Sequence, residues 1–375
     1  MISPCGKRRA DQTGLLPGPQ LWLNRRVPSP QIRSSRVGKL GWLIVPVIIF
    51  GGIWVIWRHE PPKKAAPPKV VATKPQPKPF VLSRQAPTDF PRPVRDVFEA
   101  QVAMVRCGIS PGPLDAAVGS QTRMALSAFQ QSRHLPVTGK LDDATRAQLM
   151  LAAPVVAMYT VTTQDLARLQ PLGKTWIDKS QQTALDYETE LEMIAEKSHS
   201  HQAMIRLLNP NVTWTNIAAG TALKVPDADY PDPTDKAAFV VIHLSSKCLE
   251  AFDVQSNLLV HFPCSIAAKV EKRPVGELHV IAVAPDPNYT FDPELFPEAP
   301  ESKTLDHRLI IPPGPNNPVG VAWIGLDRTG YGIHGTPIPE QVGRTESHGC
   351  FRLANWDAEY LTRLVSMGLP VYVLE

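Results

Sequence analysis

The stretch YGIHGTPIPEQVGRTESHGCFRLAN, residues 331–355, gathers His334, His348 and Cys350 into a segment punctuated by Gly332, Gly335, Gly343 and Gly349. A cysteine nucleophile needs a base to take its proton and donors to hold the oxyanion that follows. Both kinds of group are at hand here. A free thiol titrates near about 8.5, and a neighbouring imidazolium lowers that and exposes the thiolate. In an extended segment His348, two residues before Cys350, points the same way as the thiol. His334 lies 16 residues before Cys350, at the end of an expected strand Tyr331–His334, and reaches the thiol across the loop. Two histidines and a cysteine are also zinc-ligand types, but the spacing leaves no fourth ligand nearby.

Outward from this loop the pattern has period two. Val240, Ile242 and Leu244 alternate with Val241 and His243, and Leu249–Asp253 and Leu258–Phe262 flank a turn at Gln255-Ser256. Leu278–Ala284, Val321–Leu326 and Val371–Leu374 read as further strands. One late helix, Trp356–Met367, is expected to start at the cap Asn355 and stop at Gly368. The expectation is a mainly-β domain with one helix near its end. The first hairpin brings Cys248 and Cys264 almost opposite one another. A disulfide needs Cβ atoms about 3.5–4.5 Å apart; a disulfide and two separate buried thiols both stand as readings.

Ile333-His334-Gly335-Thr336, Gly343, Ser347-His348-Gly349-Cys350-Phe351-Arg352 and Asn355 together resemble the signature of the L,D-transpeptidase (YkuD-like) catalytic domain. Arg273-Pro274-Val275-Gly276, Pro315-Asn316-Asn317-Pro318 and Trp323-Ile324-Gly325-Leu326 match further family segments, so the resemblance covers residues 237–375. Phe351 and Leu278 depart from the usual residues without touching a reacting group. The resemblance implies Cys350 as nucleophile, His334 as proton donor and acceptor, and the Gly335 carbonyl as the group that orients His334. His348 is then a secondary stabiliser, and Gly349 lets the backbone turn so that amides face the oxyanion. Arg352 offers a fork for a substrate carboxylate, with Ser347 and Tyr331 completing the expected substrate-binding set. The family uses no metal and no cofactor.

Upstream, residues 93–152 read as a small helical module. Val94, Phe98, Val102 and Val105 share one helical face; Ser120–Arg133 forms a second helix, capped by Ser120, with Thr122, Ala125, Leu126 and Phe129 inward; Asp142 caps a third. QTRMALSAFQ and LPVTGKLDDAT resemble the peptidoglycan-binding-type three-helix domain, with Ala116 where that family usually has glycine. Cys107 sits in an apolar helical pattern and reads as a small core residue. Residues 158–226 run strand, helix, helix, strand, with an LNPN turn and an AGTALKVP ending, and resemble a LysM module. About 20 residues between Thr162 and Leu185 exceed that family's compact pattern.

Residues 41–57 carry no charge and place tryptophans near both ends, as a membrane anchor does; a cleaved signal peptide is the rival reading. Residues 58–92 form a Pro/Lys-rich spacer, and the chain's 39 prolines in 375 residues are twice the usual share of about 5%. Residues 1–40 carry +7 and 58–90 carry +5, leaving −8 on 91–375 out of a net +4. The basic excess flanks the hydrophobic segment and is absent from the folded part, which argues against nucleic-acid binding.

The expected fold is therefore multidomain: a mainly-β catalytic domain preceded by small α-helical and α+β wall-binding modules and one transmembrane helix. Its partners are peptidoglycan stem peptides and glycan, with the membrane held through residues 41–57. Such modules make sense together only in the bacterial envelope, with the N-terminus (1–40) inside and the catalytic domain on the periplasmic side. Crosslinking of stem peptides with release of D-Ala is the expected activity. L,D-carboxypeptidation, D-amino-acid exchange, or a non-catalytic wall-binding scaffold are the alternatives.

Overall fold

A computed structural model of the chain describes residues 80–84, 89–344 and 349–375. The basic N-terminus, the expected anchor and most of the expected spacer lie outside the described residues. Among the described residues no helix is long and apolar enough to cross a membrane. The described end of the spacer is folded chain. Strand β1 (Leu82–Ser83) pairs with the second module, Phe80 stacks on Tyr159 at 4.0 Å, and Arg84 forks onto Asp227 at 2.7 and 2.8 Å. An aromatic ring and a leucine give this short piece something to bury, which the preceding Pro/Lys repeats lack.

The helical module is closed by β2 (Arg92–Pro93) against β3 (Met150–Leu151). Its helices are α1 (Val97–Val105), α2 (Ser120–Ser132) and α3 (Asp143–Gln148). Asp142 caps α3 as expected, accepting from the Thr145 amide, but α2 is capped by Gly119 without a side-chain bond. Ala100, Ala103 and Met104 of α1 pack against Ala125, Leu126 and Phe129, with Cys107 half-buried at the edge. Val102 and Val105 face the other way, into a cluster with Leu114 and Ala228 that Phe98 also joins. Of the four residues read as one helical face, Phe98, Val102 and Val105 thus turn toward the rest of the protein while Val94 joins the module core, and α1 is buried on two sides. Ala116 adopts φ +61°, the left-handed backbone that the usual glycine would take without strain.

In the second module β4 (Val156–Thr160) and β5 (Ala222–Pro226) pair antiparallel, with β1 on the free edge of β4. Helices α6 (Glu190–Lys197) and α7 (Gln202–Leu208) pack Leu191, Ile194 and Ile205 onto Tyr159, Leu223 and Val225. Two additional short helices, α4 (Thr163–Arg168) and α5 (Trp176–Gln181), occupy the long stretch after β4, each opened by a Thr/Asp capping box. The stretch has a partner: Trp176 stacks on Phe291 at 4.5 Å, and Leu185 is buried with Phe291, Leu309 and Ile311.

Residues 239–374 supply the remaining strands: β6 (Phe239–His243), β7 (Cys248–Phe252), β8 (Leu258–Pro263), β9 (Gly276–Pro285), β10 (Tyr289–Phe291), β11 (Leu309–Ile311), β12 (Ala322–Leu326), β13 (Gly332–His334), β14 (Phe351–Arg352) and β15 (Pro370–Leu374). Eight of them form one sheet in the order β14-β13-β12-β9-β15-β6-β7-β8, and β10 pairs with β11 separately. Val240, Ile242, Leu249, Val260 and Phe262 share the core face with residues of α8 (Asn355–Leu364).

One expectation fails here, and one open alternative is decided. Helix α8 ends at Leu364, because residues 368–369 are drawn onto β9 through Gly368 N–H to Val280 O (2.7 Å) and Val280 N–H to Leu369 O (3.0 Å). Cys248 and Cys264 are free and buried. Cys248 stands opposite Pro263, while the Cys264 amide bonds the Lys247 carbonyl at 2.8 Å. That one-residue offset sends the thiols to opposite faces of the sheet, Cys264 into the core and Cys248 away from it.

Candidate active site

Strands β13 and β14 run parallel side by side, placing Ile333 opposite Phe351 and His334 opposite Arg352. The bridge continues with Leu353 N–H to His334 O at 2.9 Å. Cys350 is the residue immediately before β14, so the sheet brings the thiol's strand alongside the strand that carries His334. On its other side His334 pairs with Trp323 of β12, whose ring lies 5.6 Å from the imidazole at an interplanar angle of 21°.

His334 is buried, and its Nδ1 lies 2.6 Å from the Gly335 carbonyl oxygen. A carbonyl only accepts, so Nδ1 carries the proton and Nε2 is left with a lone pair. Burial pushes the imidazole pKa down to about 4, against the Gly335 bond, with the Arg352 charge adding to the drop. His334 is therefore neutral at pH 7. The half-buried Cys350 has Sγ 3.5 Å from the Gly330 carbonyl. Burial raises its pKa, while the Gly332 backbone and the Arg352 charge pull the other way. Rather than a thiolate beside His334 imidazolium, these groups rest as neutral thiol and neutral imidazole.

Asn355 supports the loop behind His334. A Cβ at Gly335 would lie 2.3 Å from its Oδ1, and one at Gly320 (φ +63°) 2.0 Å from the same atom. These close approaches leave no room for a side chain. Asn355 Nδ2 donates to the Pro315 carbonyl at 3.0 Å and to Glu196 of α6 at 3.1 Å. Asn355 is thus inside α8, not its cap; Ala354 holds that position.

The remaining expected residues divide. Arg352 is half-buried, its backbone exchanging two bonds with Ser265 at 2.9 and 3.0 Å. With Ser265, Thr336, Ile338, Gln341 and Val342 it lines a small cleft of about 30 Å³. Tyr331 donates its hydroxyl to the Lys272 carbonyl at 2.9 Å, and the Arg328 guanidinium sits 4.8 Å over its ring. A Cβ at Gly349 would meet the Tyr331 ring at an ordinary 3.7 Å. Ser347 and His348 lie outside the described residues. Sequence reasoning missed Trp323, Ser265 and Gln121. Gln121 of α2 donates to the Val342 carbonyl, and the Gly343 amide bonds Ser265 Oγ at 2.8 Å, so the cleft wall is tied from the helical module as well. The WIGL segment was the one signal available for Trp323; the other contacts join distant residues.

Residues 237–373 match the family described as "L,D-transpeptidase catalytic domain" (YkuD), and residues 94–149 match "Putative peptidoglycan binding domain". The chain is 23% identical over 183 residues to "Putative L,D-transpeptidase YkuD" of Bacillus licheniformis, covering 49% of this chain and 92% of that protein. It is 27% identical over 212 residues to "Probable L,D-transpeptidase ErfK/SrfK" of Escherichia coli K12, covering 55% and 67% respectively. The chain is an enzyme whose catalytic unit is an L,D-transpeptidase domain of the YkuD family, carried behind a peptidoglycan-binding-type domain.

Proposed function

We propose that the protein crosslinks peptidoglycan stem peptides through a thioester on Cys350. The observation that carries this reading is the His334 Nδ1 to Gly335 carbonyl bond, which leaves Nε2 as the base on the strand beside that of Cys350. As a donor tetrapeptide binds, His334 takes the thiol proton and sulfur attacks the carbonyl carbon of the third residue. Backbone amides near Gly349 and Cys350 hold the oxyanion, and His348 steadies the site. The C–N bond then breaks, His334 returns the proton to the D-alanine amine, and a thioester remains. The side-chain amine of a second stem attacks it, giving up a proton to His334 and freeing the thiol. Arg352, Ser347 and Tyr331 hold the donor, with the Arg352 fork on a substrate carboxylate.

The wider reading places this chemistry on the periplasmic face of the cytoplasmic membrane, anchored by residues 41–57. Residues 158–226 serve as a LysM-like unit, a reading supported by the β4-α6-α7-β5 order and the direct β4–β5 pairing. Incubation with purified tetrapeptide stems, read by mass spectrometry, tests the activity. Crosslinked dimers and free D-alanine are expected; tripeptide alone would mean carboxypeptidation, and unchanged crosslinking by Cys350→Ala would refute the thioester route.

A further inference from the structure

Away from the active site, β6, β7 and β8 present a block of four polar side chains on the face turned from the core. His243 stands opposite Cys248, and Glu250 stands opposite His261. Ligand atoms of Cys248, Glu250 and His261 all lie within 4.8 Å of one another. Glu250 bridges the histidines, with Oε1 3.0 Å from His261 Nδ1 and Oε2 3.3 Å from His243 Nε2. The His261 ring is 2% exposed, and its Nε2 has no hydrogen-bond partner.

We propose that Cys248, Glu250 and His261, with His243 at the open edge, bind a divalent cation of the zinc class. Sulfur, imidazole nitrogen and carboxylate oxygen are the ligand types such an ion takes. One thiolate and one carboxylate neutralise a 2+ ion, so the filled site adds no net charge to a nearly buried place. Bonds of about 2.0–2.3 Å put tetrahedral ligand atoms roughly 3.3–3.8 Å apart. The observed spread therefore closes with shifts of about 1 Å, within reach of side-chain rotation. His243, with about a third of its side chain exposed, provides the way in.

A plain His–Glu–His bridge explains part of this cluster. Burial works against the Glu250 carboxylate, yet the bonds from both histidines bring its pKa to about 2. The bridge does not explain the buried Nε2, a costly group to leave unmatched, nor the thiol converging on the same spot. Burial raises that thiol to about 12, so at neutral pH the cation must displace its proton. One proton is released per ion bound.

Cobalt(II) titration of the untagged full chain carrying Cys350→Ser, which removes the catalytic thiol as a competing ligand, tests the site. One equivalent is expected, with a sulfur-to-cobalt charge-transfer band, one proton released, and displacement by zinc(II). Adding Cys248→Ser should abolish the band, whereas adding Cys264→Ser, on the opposite face, should leave it. No binding, or a band that survives Cys248→Ser, overturns the proposal. If Cys248→Ser does not fold, His261→Gln decides: at least tenfold weaker binding in a variant with wild-type near-ultraviolet circular dichroism supports the site, and unchanged affinity overturns it.

Discussion

Acylation of Cys350 should be flat with pH across the neutral range and fall only in acid. The perturbation is pH, applied to the intact enzyme with a donor tetrapeptide as the acylating substrate. His334 must be neutral to take the thiol proton, and burial has moved its pKa from 6.5 to about 4. At about 1.36 kcal/mol per unit, charging it in place costs about 3 kcal/mol more than in water. The protonated fraction at pH 7 is then on the order of one in a thousand, and half the base is lost only near pH 4. Single-turnover acylation, followed by intact mass, should hold a plateau from pH 7 to pH 5 and drop below it. Two results would refute the reasoning. A midpoint near 6.5 would mean that His334 titrates as if solvated. A rate climbing about tenfold per pH unit through neutrality would mean that a pre-formed thiolate reacts without the imidazole.

His334 also ties stability to acid: its folded pKa lies below the unfolded value, so the unfolded chain binds the extra proton. The His334 contribution should fade as pH falls from 6.5 toward 4, and His334→Gln should flatten that part of a urea-midpoint profile. Glu196 works with the opposite sign. Burial raises its pKa to about 8, so folding bears a growing cost as pH rises from 4.5 to 8. Glu196→Gln can still accept from Asn355, and it should raise the melting temperature at pH 8 while changing little at pH 4.5. Gly320→Ala should remove most activity, because its Cβ would sit 2.0 Å from Asn355 Oδ1; wild-type turnover in that variant would show that Asn355 does not set the His334 loop. Ala116→Gly should stabilise the helical module by about 0.5–1 kcal/mol, relief of left-handed strain exceeding the added chain entropy; thermal unfolding checks it.

Much of the candidate site was legible because it is local. Residues 331–355 carry the proposed thiol, base and orienting carbonyl in one run, and the period-two strands around them bury one face. What was misread depends on neighbours remote in the chain. Val102 and Val105 look like an ordinary inner face until Leu114 and Ala228 arrive on the other side of α1. Asn355 resembles a cap until Pro315 claims its amide. Gln121 carries no mark that it reaches Val342, 221 residues away. Cys248, Glu250 and His261 match no familiar ligand spacing, since cross-strand register and not sequence interval brings them together.

The ties from Gln121 to Val342, Glu196 to Asn355 and Trp176 to Phe291 bear on how this chain can be recombined. A gene fragment starting at Ala237 inherits the whole reactive signature but leaves behind what covers Phe291, steadies Asn355 and fixes the Val342 carbonyl. The unit that can be cut and pasted by family boundaries is smaller than the unit that folds. Chimeras that swap the catalytic segment alone should therefore lose acylation rate before they lose the sheet, and those that carry residues 80–375 together should keep both.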